Sequence, residues 1–536
     1  MTIGAFSLLA LAVVLAALYR RSRKSWLSDL PGPESEFMLG NVRQVLRGNV
    51  IELMLGWKEE FGSVFRYQSL FGRNIPVISD SKALHHILNV AAYDFPQPNW
   101  LRAFIMGFSG PNLVWAEGDT HRRQRRVMAP AFGVRESKGL FPVFRDHAAK
   151  LASDLQDALL GDGNRDSIVI DFHPILHTAA LGAISEAAFD FQIDKEHTVL
   201  NEVYRNFNGD SMPPSKAVLD ALVDYVPPAL VHVLFKILPF KQIKFLRKHK
   251  EYTYQVAKEL VANKSREDVK AKKQRDVFSL LLQANTSEES KHRLSDDELY
   301  AQMSIIFVAG QDTTSNTMLY TLWELAKHDD VQTRLRNEIR QVQSDIRAQG
   351  KSDVTLSDME NMEYLLAVIK EGLRLYPVVF QVSRVAEKDT VLPLSRELKT
   401  TSGTQLHCLH IPKGTEVILA IGAYNRDKTI WGQDADEFKP ERWLKDGQAT
   451  KDVPTVGIMG NLLTFLSGPR SCIGWRFAMM EMQCFLAELV DIFEIQVADP
   501  KKVMRSEGDN AIYPVINGEE EKGAQMPLRI SLASRD

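Results

Sequence analysis

A mainly helical α+β architecture, with a minority of separate sheet, is what this 536-residue sequence predicts. Three observations carry that prediction. From about Ser81 to Lys388 the apolar residues recur mostly at helical spacing. The strand-like runs are brief and bounded by Gly, Asn or Asp: Val64 to Tyr67, Ile75 to Ile78, and a longer stretch from Val391 to Ala423 with a turn at Pro412-Lys413-Gly414. Strands and helices do not alternate, as a parallel doubly wound sheet would require.

Composition allows a large packed core, with 45% hydrophobic and 25% charged residues. A net charge of −3 argues against a nucleic-acid partner. Three cysteines, Cys408, Cys472 and Cys484, cannot frame disulfides in a chain of this length and point to a reducing compartment.

At the amino terminus, Ile3 to Tyr19 is an apolar run of roughly 17 residues, long enough for a short membrane span. Arg20, Arg21, Arg23 and Lys24 follow at once, and nothing basic precedes the run. The positive-inside rule then sets Met1 in the lumen and the body in the cytosol. A cleaved signal peptide is the alternative, but the basic cluster lies where its cleavage site should be. The expected organisation is an anchor and basic stop over 1–24, a Pro/Gly linker over 25–41, and a catalytic body over 42–536. Pro227 to Phe240 is apolar and proline-flanked, and reads as a second membrane-touching helix or as core.

Ser295 to Lys327 reads as the clearest helix, opened by a Ser295/Glu298 capping box and spanning roughly 50 Å. Its middle, Ala309-Gly310-Gln311-Asp312-Thr313-Thr314, is small and polar. That is poor helix chemistry and marks a functional site. A second helix is expected from Ser357, with Glu360 completing its box, to Leu375 before Pro377. The last runs from about Gly474 to Phe493, with Ala478, Met482, Phe485, Leu489 and Phe493 on its core face.

The residues with most chemical content are Phe465-Leu466-Ser467-Gly468-Pro469-Arg470-Ser471-Cys472-Ile473-Gly474. One cysteine lies in a Gly/Pro loop feeding a helix amino terminus, where the dipole, unpaired N–H groups and Arg470 favour a thiolate. Gly468 and Gly474 would let the backbone approach something large and flat. Elsewhere, Glu371 and Arg374 share a helix face at i and i+3. His121 and Arg125 share another.

This stretch resembles the haem-binding loop of the cytochrome P450 family, Phe-x-x-Gly-x-Arg-x-Cys-x-Gly, at every specified position. Glu371-Gly372-Leu373-Arg374 resembles the family's Glu-x-x-Arg motif, and Phe438-Lys439-Pro440-Glu441-Arg442-Trp443 its Pro-Glu-Arg segment. Ala309 to Thr314 resembles its oxygen-activation motif. The resemblance covers the whole chain and implies the triangular, mostly helical family fold with a small β-rich region.

It further implies haem b (iron protoporphyrin IX) with Cys472 as the metal ligand, a thiolate that favours O–O cleavage. Phe465, Gly468 and Gly474 would shape the loop, and Arg470, His121, Arg125 and Arg384 would hold the propionates. Glu371, Arg374 and Arg442 would form a structural triad behind the haem. Gly310 would leave room for dioxygen, Thr313 would hydrogen-bond it, and Asp312 would relay protons.

The implied reaction is insertion of one atom of O2 into a lipophilic small molecule, with electrons from an NADPH-dependent flavoprotein reductase at the endoplasmic reticulum membrane. Arg122, Arg123 and Arg126 are candidates for the reductase contact. By family alignment the substrate pocket is Phe104, Phe108, Ile306, Ala309, Gly310, Val378, Val379, Val382, Ile512 and Tyr513. Specialised metabolism of the fungal kind, such as terpenoid biosynthesis, is the expected setting. A haem-thiolate isomerase or dehydratase, or a non-catalytic haem-binding protein, are the other classes. Keeping Asp312 and Thr313 argues against the former.

Overall fold

The computed structural model describes residues 26–534 apart from 38, 48, 162–165, 193–240, 267–275, 288, 445–454 and 508–510. The apolar run at 3–19 and the segment 227–240 lie outside the described residues. Among the described residues no helix is long and apolar enough to cross a membrane.

Helices dominate. Among the described residues, those of ten residues or more are α1 (Val50–Phe61), α2 (Asn99–Phe108), α3 (Gly118–Met128), α4 (Phe141–Leu160), α5 (Phe172–Phe189), α6 (Lys241–Arg266), α7 (Val277–Ser287), α8 (Asp296–Lys327), α9 (Asp329–Ala348), α10 (Glu363–Leu375) and α11 (Trp475–Ile492). Among the described residues the strands form four small sheets. The first orders β1 (Val64–Gln68), β2 (Asn74–Ile78), β7 (Glu416–Leu419) and β4 (Val382–Val385), with β2 and β7 parallel. The second is β3 (Ile168–Asp171), β11 (Pro527–Leu532) and β8 (Phe493–Val497). Two hairpin pairs complete the set: β5 (Thr390–Lys399) with β6 (Gln405–Ile411), and β9 (Met504–Glu507) with β10 (Tyr513–Ile516).

The long helix α8 runs through the centre. Ser295 and Glu298 close its capping box: the Glu298 N–H donates to Ser295 Oγ at 3.3 Å, and the Ser295 N–H to Glu298 Oε2 at 2.9 Å. Most of its length is buried on every side, so the apolar stripe expected of a surface helix is replaced by contacts all round. Met303, Phe307 and Leu322 have no exposed surface, and each contributes about 1.5–3 kcal/mol through burial.

Two expectations need correction. The helix expected from Ser357 is two helices. Thr355 and Asp358, not Ser357 and Glu360, form the capping box of a short helix Leu356–Glu360. The chain turns at Asn361 and restarts as α10, where the Glu338 carboxylate of α9 accepts from the N–H groups of Tyr364 and Leu365, both at 2.8 Å. The span Ser81 to Lys388 is mostly helical as expected, with the short β3 and β4 among its helices. The strand region ends at Leu419, because Ile421–Asn425 forms a helical turn.

Candidate active site

The Cys472 loop is folded back on itself before α11 begins. The Cys472 N–H donates to the Phe465 carbonyl at 2.9 Å, and Leu466 is held at φ 56°, a region non-glycine residues rarely occupy. Such a conformation persists only where its surroundings over-determine it. Gly468, at φ 66°, plays a different part from the one expected. A Cβ there would lie 2.1 Å from the Leu88 carbonyl oxygen, so its missing side chain admits neighbouring backbone and not a flat ligand. Gly474 does face the open space, with nothing nearer to its Cβ position than Phe132 Cε1 at 4.0 Å.

That space is a cavity of about 590 Å³ with the Cys472 thiol in its wall. Cys472 is accessible from within the cavity but lies deep inside the protein. Burial pushes its thiol pKa up, against the opposing pull of the Gly474 N–H and the Arg125 charge. In the protein alone, burial therefore outweighs the helix terminus that was expected to favour the thiolate.

Five cationic or potentially cationic groups line the same cavity: Arg73, which pairs with Glu416, and His121, Arg125, Arg384 and Arg470. Arg384 is wholly enclosed, and burial lowers its pKa to about 10. Arg125 donates to the Ser471 carbonyl at 2.8 Å. Arg470 pairs with Glu117 and leaves its Nε buried without a partner. His121 meets the Tyr93 hydroxyl at 3.0 Å, and burial plus the arginines lower its pKa to about 3. Three guanidiniums around one carboxylate leave buried positive charge unbalanced, which costs stability unless an anion arrives. A thiol in one wall and cations beside it suit a large planar group with a metal centre and carboxylate arms, and the residues present fit haem.

Behind the loop, Glu371 and Arg374 have no exposed surface. Arg374 donates through Nε and a terminal nitrogen to the two Glu371 oxygens, each at 2.8 Å, and Arg442 Nε adds a third bond at 2.8 Å. The guanidiniums also donate to the carbonyls of Asn425, Glu437, Trp431 and Asp434. Asn425 continues the chain of contacts: its side chain accepts from the Leu463 N–H at 3.0 Å and donates to Thr464 Oγ1 at 2.9 Å, next to Phe465.

Opposite the loop, Ile306, Ala309, Gly310, Thr313, Thr314 and Thr317 of α8 line the cavity. Thr313 donates to the Ala309 carbonyl at 2.7 Å, so the hydroxyl offers the cavity a lone pair. A Cβ on Gly310 would lie 2.6 Å from Ile184 Cγ1, so in the cavity wall this glycine also makes room for α5. Asp312 is not in the wall. It is buried, with its carboxylate 3.5 Å from His177 Nδ1 on α5.

Val378, Val379 and Val382 line the cavity, whereas Phe104, Phe108, Ile512 and Tyr513 do not. Phe108 stacks on His249 at 4.0 Å and packs against α6. Ile512 is fully buried and Tyr513 is committed to β10. From α2 it is Trp100, Leu101 and Ile105 that line the space. Sequence reasoning also missed Ile184, the Arg73–Glu416 pair at 3.1 Å, and Glu481, a fully enclosed carboxyl in the wall. Thr317, four residues after Thr313, was legible from helical spacing. Of the expected basic patch, Arg123 is taken up by Glu298 and the Arg293 carbonyl.

The family model for cytochrome P450 matches residues 30–515. Cytochrome P450 monooxygenase claO of Ampulloclitocybe clavipes is 32% identical, with 98% of each chain covered. Its counterpart claQ from the same fungus is 31% identical, over 98% of this chain and 97% of that one. Cytochrome P450 monooxygenase 128 of Postia placenta is 32% identical, over 94% and 92%. With a cysteine in the cavity wall, cations around it and these relatives along its length, the chain belongs to the cytochrome P450 family and is an oxidoreductase of the haem-thiolate type.

Proposed function

We propose that this protein carries haem b and inserts one atom of O2 into a lipophilic organic substrate, in specialised metabolism such as terpenoid biosynthesis. The other oxygen atom leaves as water, with two electrons from an NADPH-dependent flavoprotein reductase and two protons from solvent. The observation that carries the reading is the Cys472 thiol in the wall of an otherwise largely apolar cavity, with Thr313, His121, Arg125, Arg384 and Arg470 also in that wall. When bound, the haem supplies the oxygen-activating chemistry.

The chain's own residues do the rest. Cys472 ligates the iron, and Arg125, Arg384, Arg470 and His121 hold the propionates. The apolar wall of Ile306, Ala309, Val378, Val379 and Val382 excludes water and favours a weakly polar substrate. Thr313, whose O–H donates to the Ala309 carbonyl, accepts a hydrogen bond from whatever is protonated beside it. Asp312 supplies protons to that place. Relatives in fungi and the apolar lining support the assignment to specialised metabolism.

The reading includes a single-pass anchor over 1–24, a linker over 25–41 and a catalytic body over 42–536 on the cytosolic face of the endoplasmic reticulum. Its support is the apolar run and the basic cluster behind it. The test of the centre is the reduced carbon-monoxide difference spectrum of purified protein beside Cys472→Ser. The Soret band of thiolate-ligated haem is expected, and is lost in the variant. Folded, haem-loaded wild type without that band overturns the reading. Alkaline carbonate extraction of the full chain against residues 25–536 tests the anchor.

A further inference from the structure

Tyr93 lies behind His121 and is not itself in the cavity wall. Its hydroxyl meets His121 Nδ1 at 3.0 Å, and the two rings stand edge to face with centroids 5.7 Å apart. The segment that carries Tyr93 is held from two sides. The Glu387 N–H donates to the Asp94 carbonyl at 2.9 Å and the Val385 N–H to the Pro96 carbonyl at 2.8 Å, which ties it to the end of β4 beside Arg384. The Gln97 N–H donates to Glu117 Oε1 at 3.0 Å, which ties it to the residue that opens α3. The elements that present Arg384, His121 and Arg125 to the cavity therefore also set the place of Tyr93.

The phenol sets where the imidazole proton sits. A phenol O–H, with a pKa of about 10, is a stronger donor than a neutral imidazole N–H, and a bare imidazole nitrogen is a stronger acceptor than a phenol oxygen. The Tyr93 O–H therefore donates to Nδ1. Two guanidiniums over the ring strengthen that donor: Arg122 Cζ lies 4.0 Å and Arg470 Cζ 5.7 Å from the ring centroid. His121 stays neutral, because burial and the charges of Arg470, Arg125, Arg122 and Arg384 oppose a second proton. A neutral imidazole has one donor nitrogen and one acceptor, and the bond made by one fixes the other. With Nδ1 accepting, the proton is on Nε2. Among the described residues Nε2 has no hydrogen-bond partner, and it is not shut off from the open space of the cavity.

We propose that Tyr93 is a positioning residue of the haem site: its O–H locks His121 in the Nε2-protonated form and keeps a neutral N–H donor on the cavity side for a carboxylate arm of the haem. The inference rests on the haem reading above, with His121 among the residues that hold the propionates. Without the phenol, the arginines around His121 would favour the opposite form, whose lone pair faces them. That form turns a lone pair on an arriving carboxylate and repels it. The locked form adds a directional bond and no further positive charge to a cluster that already holds Arg125, Arg384 and Arg470.

The first test needs no turnover. Holoenzyme with ring-15N histidine is placed in its diamagnetic carbon-monoxide form, and His121 is assigned by its loss in His121→Phe. A ring protonated at Nε2 alone is expected from about pH 6 to 8, with the Nδ1 resonance moving toward that of an unbonded lone pair in Tyr93→Phe. A ring protonated at Nδ1, alone or together with Nε2, overturns the proposal.

The second test measures haem transfer to apomyoglobin. Tyr93→Phe keeps the ring under its two guanidiniums and removes only the hydroxyl, and it should release haem about fivefold faster. The double variant should be no faster than His121→Phe, because Tyr93 acts through His121. An indole N–H has no second tautomer, so in a His121→Trp background Tyr93→Phe should cost nothing. The same acceleration by Tyr93→Phe in all three backgrounds means a packing role only and overturns the proposal. A fast His121→Phe beside an unchanged Tyr93→Phe also overturns it and leaves His121 as a propionate contact. Unchanged release from both overturns the assignment of His121 and the proposal with it. The carbon-monoxide Soret band should stay intact throughout, so the thiolate reading stands or falls separately.

Discussion

Two buried charge clusters flank the Cys472 loop, and they are finished differently. In the cluster of Glu371, Arg374 and Arg442, both carboxylate oxygens are bonded, and the two guanidiniums spread over Glu371 and backbone carbonyls. In the cluster of His121, Arg125, Arg384 and Arg470, positive charge exceeds negative, one nitrogen of Arg470 has no partner, and an open cavity lies beside it. A satisfied buried network fixes one arrangement of the chain, and an unsatisfied one waits for a ligand. Burial and residue type are nearly the same in the two places. The hydrogen-bond inventory is what separates a folding device from a binding site.

The comparison breaks most visibly at Glu371. Glu371→Ala leaves two enclosed guanidiniums without their carboxylate, at a cost of about 3–5 kcal/mol. Thermal melting should fall steeply, and the purified protein should contain little haem. Near-normal haem content would mean that the network does not hold the loop.

Arg384→Leu should do the opposite to the protein alone. Removing an enclosed, under-paired charge should leave apo melting unchanged or raised, while haem dissociates about tenfold faster, measured by transfer to apomyoglobin. A large loss of apo stability would place Arg384 in the folding class.

His249 sharpens the contrast, because histidine, unlike arginine, can shed its charge when buried. Burial lowers its folded pKa to about 4, against an unfolded value of about 6.5. Between those values the unfolded chain binds more protons, so this contribution to stability is complete above about pH 6.5 and is lost as pH falls toward 4. His249→Gln should flatten the fall of melting temperature between about pH 7 and 5. An unchanged slope would show that His249 binds its proton as readily in the folded protein as in the unfolded chain.

The smallest effect is expected at Ser295→Ala, at the exposed start of α8, where loss of the cap costs about 1 kcal/mol in urea unfolding. Haem content should not change.

Motifs with local meaning were legible in advance. The Ser295/Glu298 box is written within four residues, and so is the i, i+3 face of Glu371 and Arg374. Cys472 and the cationic residues His121, Arg125, Arg384 and Arg470 came from the family resemblance, and all lie along one cavity. What failed depended on partners distant in the chain. The start of α10 is capped by Glu338 from another helix, which no window around Ser357 contains. Phe108 was assigned to the pocket by family alignment, its ring suits a pocket and a core equally, and His249 decides for the core. Gly468 was read as room for a flat ligand, and the space it leaves is filled by the Leu88 backbone.

By itself, then, the sequence determined the mainly helical class, the loop that carries Cys472, and which residues could bear charge or accept a proton. Those properties follow from side-chain chemistry and short-range spacing. Only the tertiary structure decided that Asp312 turns from the cavity to His177, that one cationic cluster is satisfied and the other is not, and which apolar residues face the open space. Each is a matter of which partners arrive within about 3.5 Å from other helices, and hydrogen bonding and desolvation act only at that range.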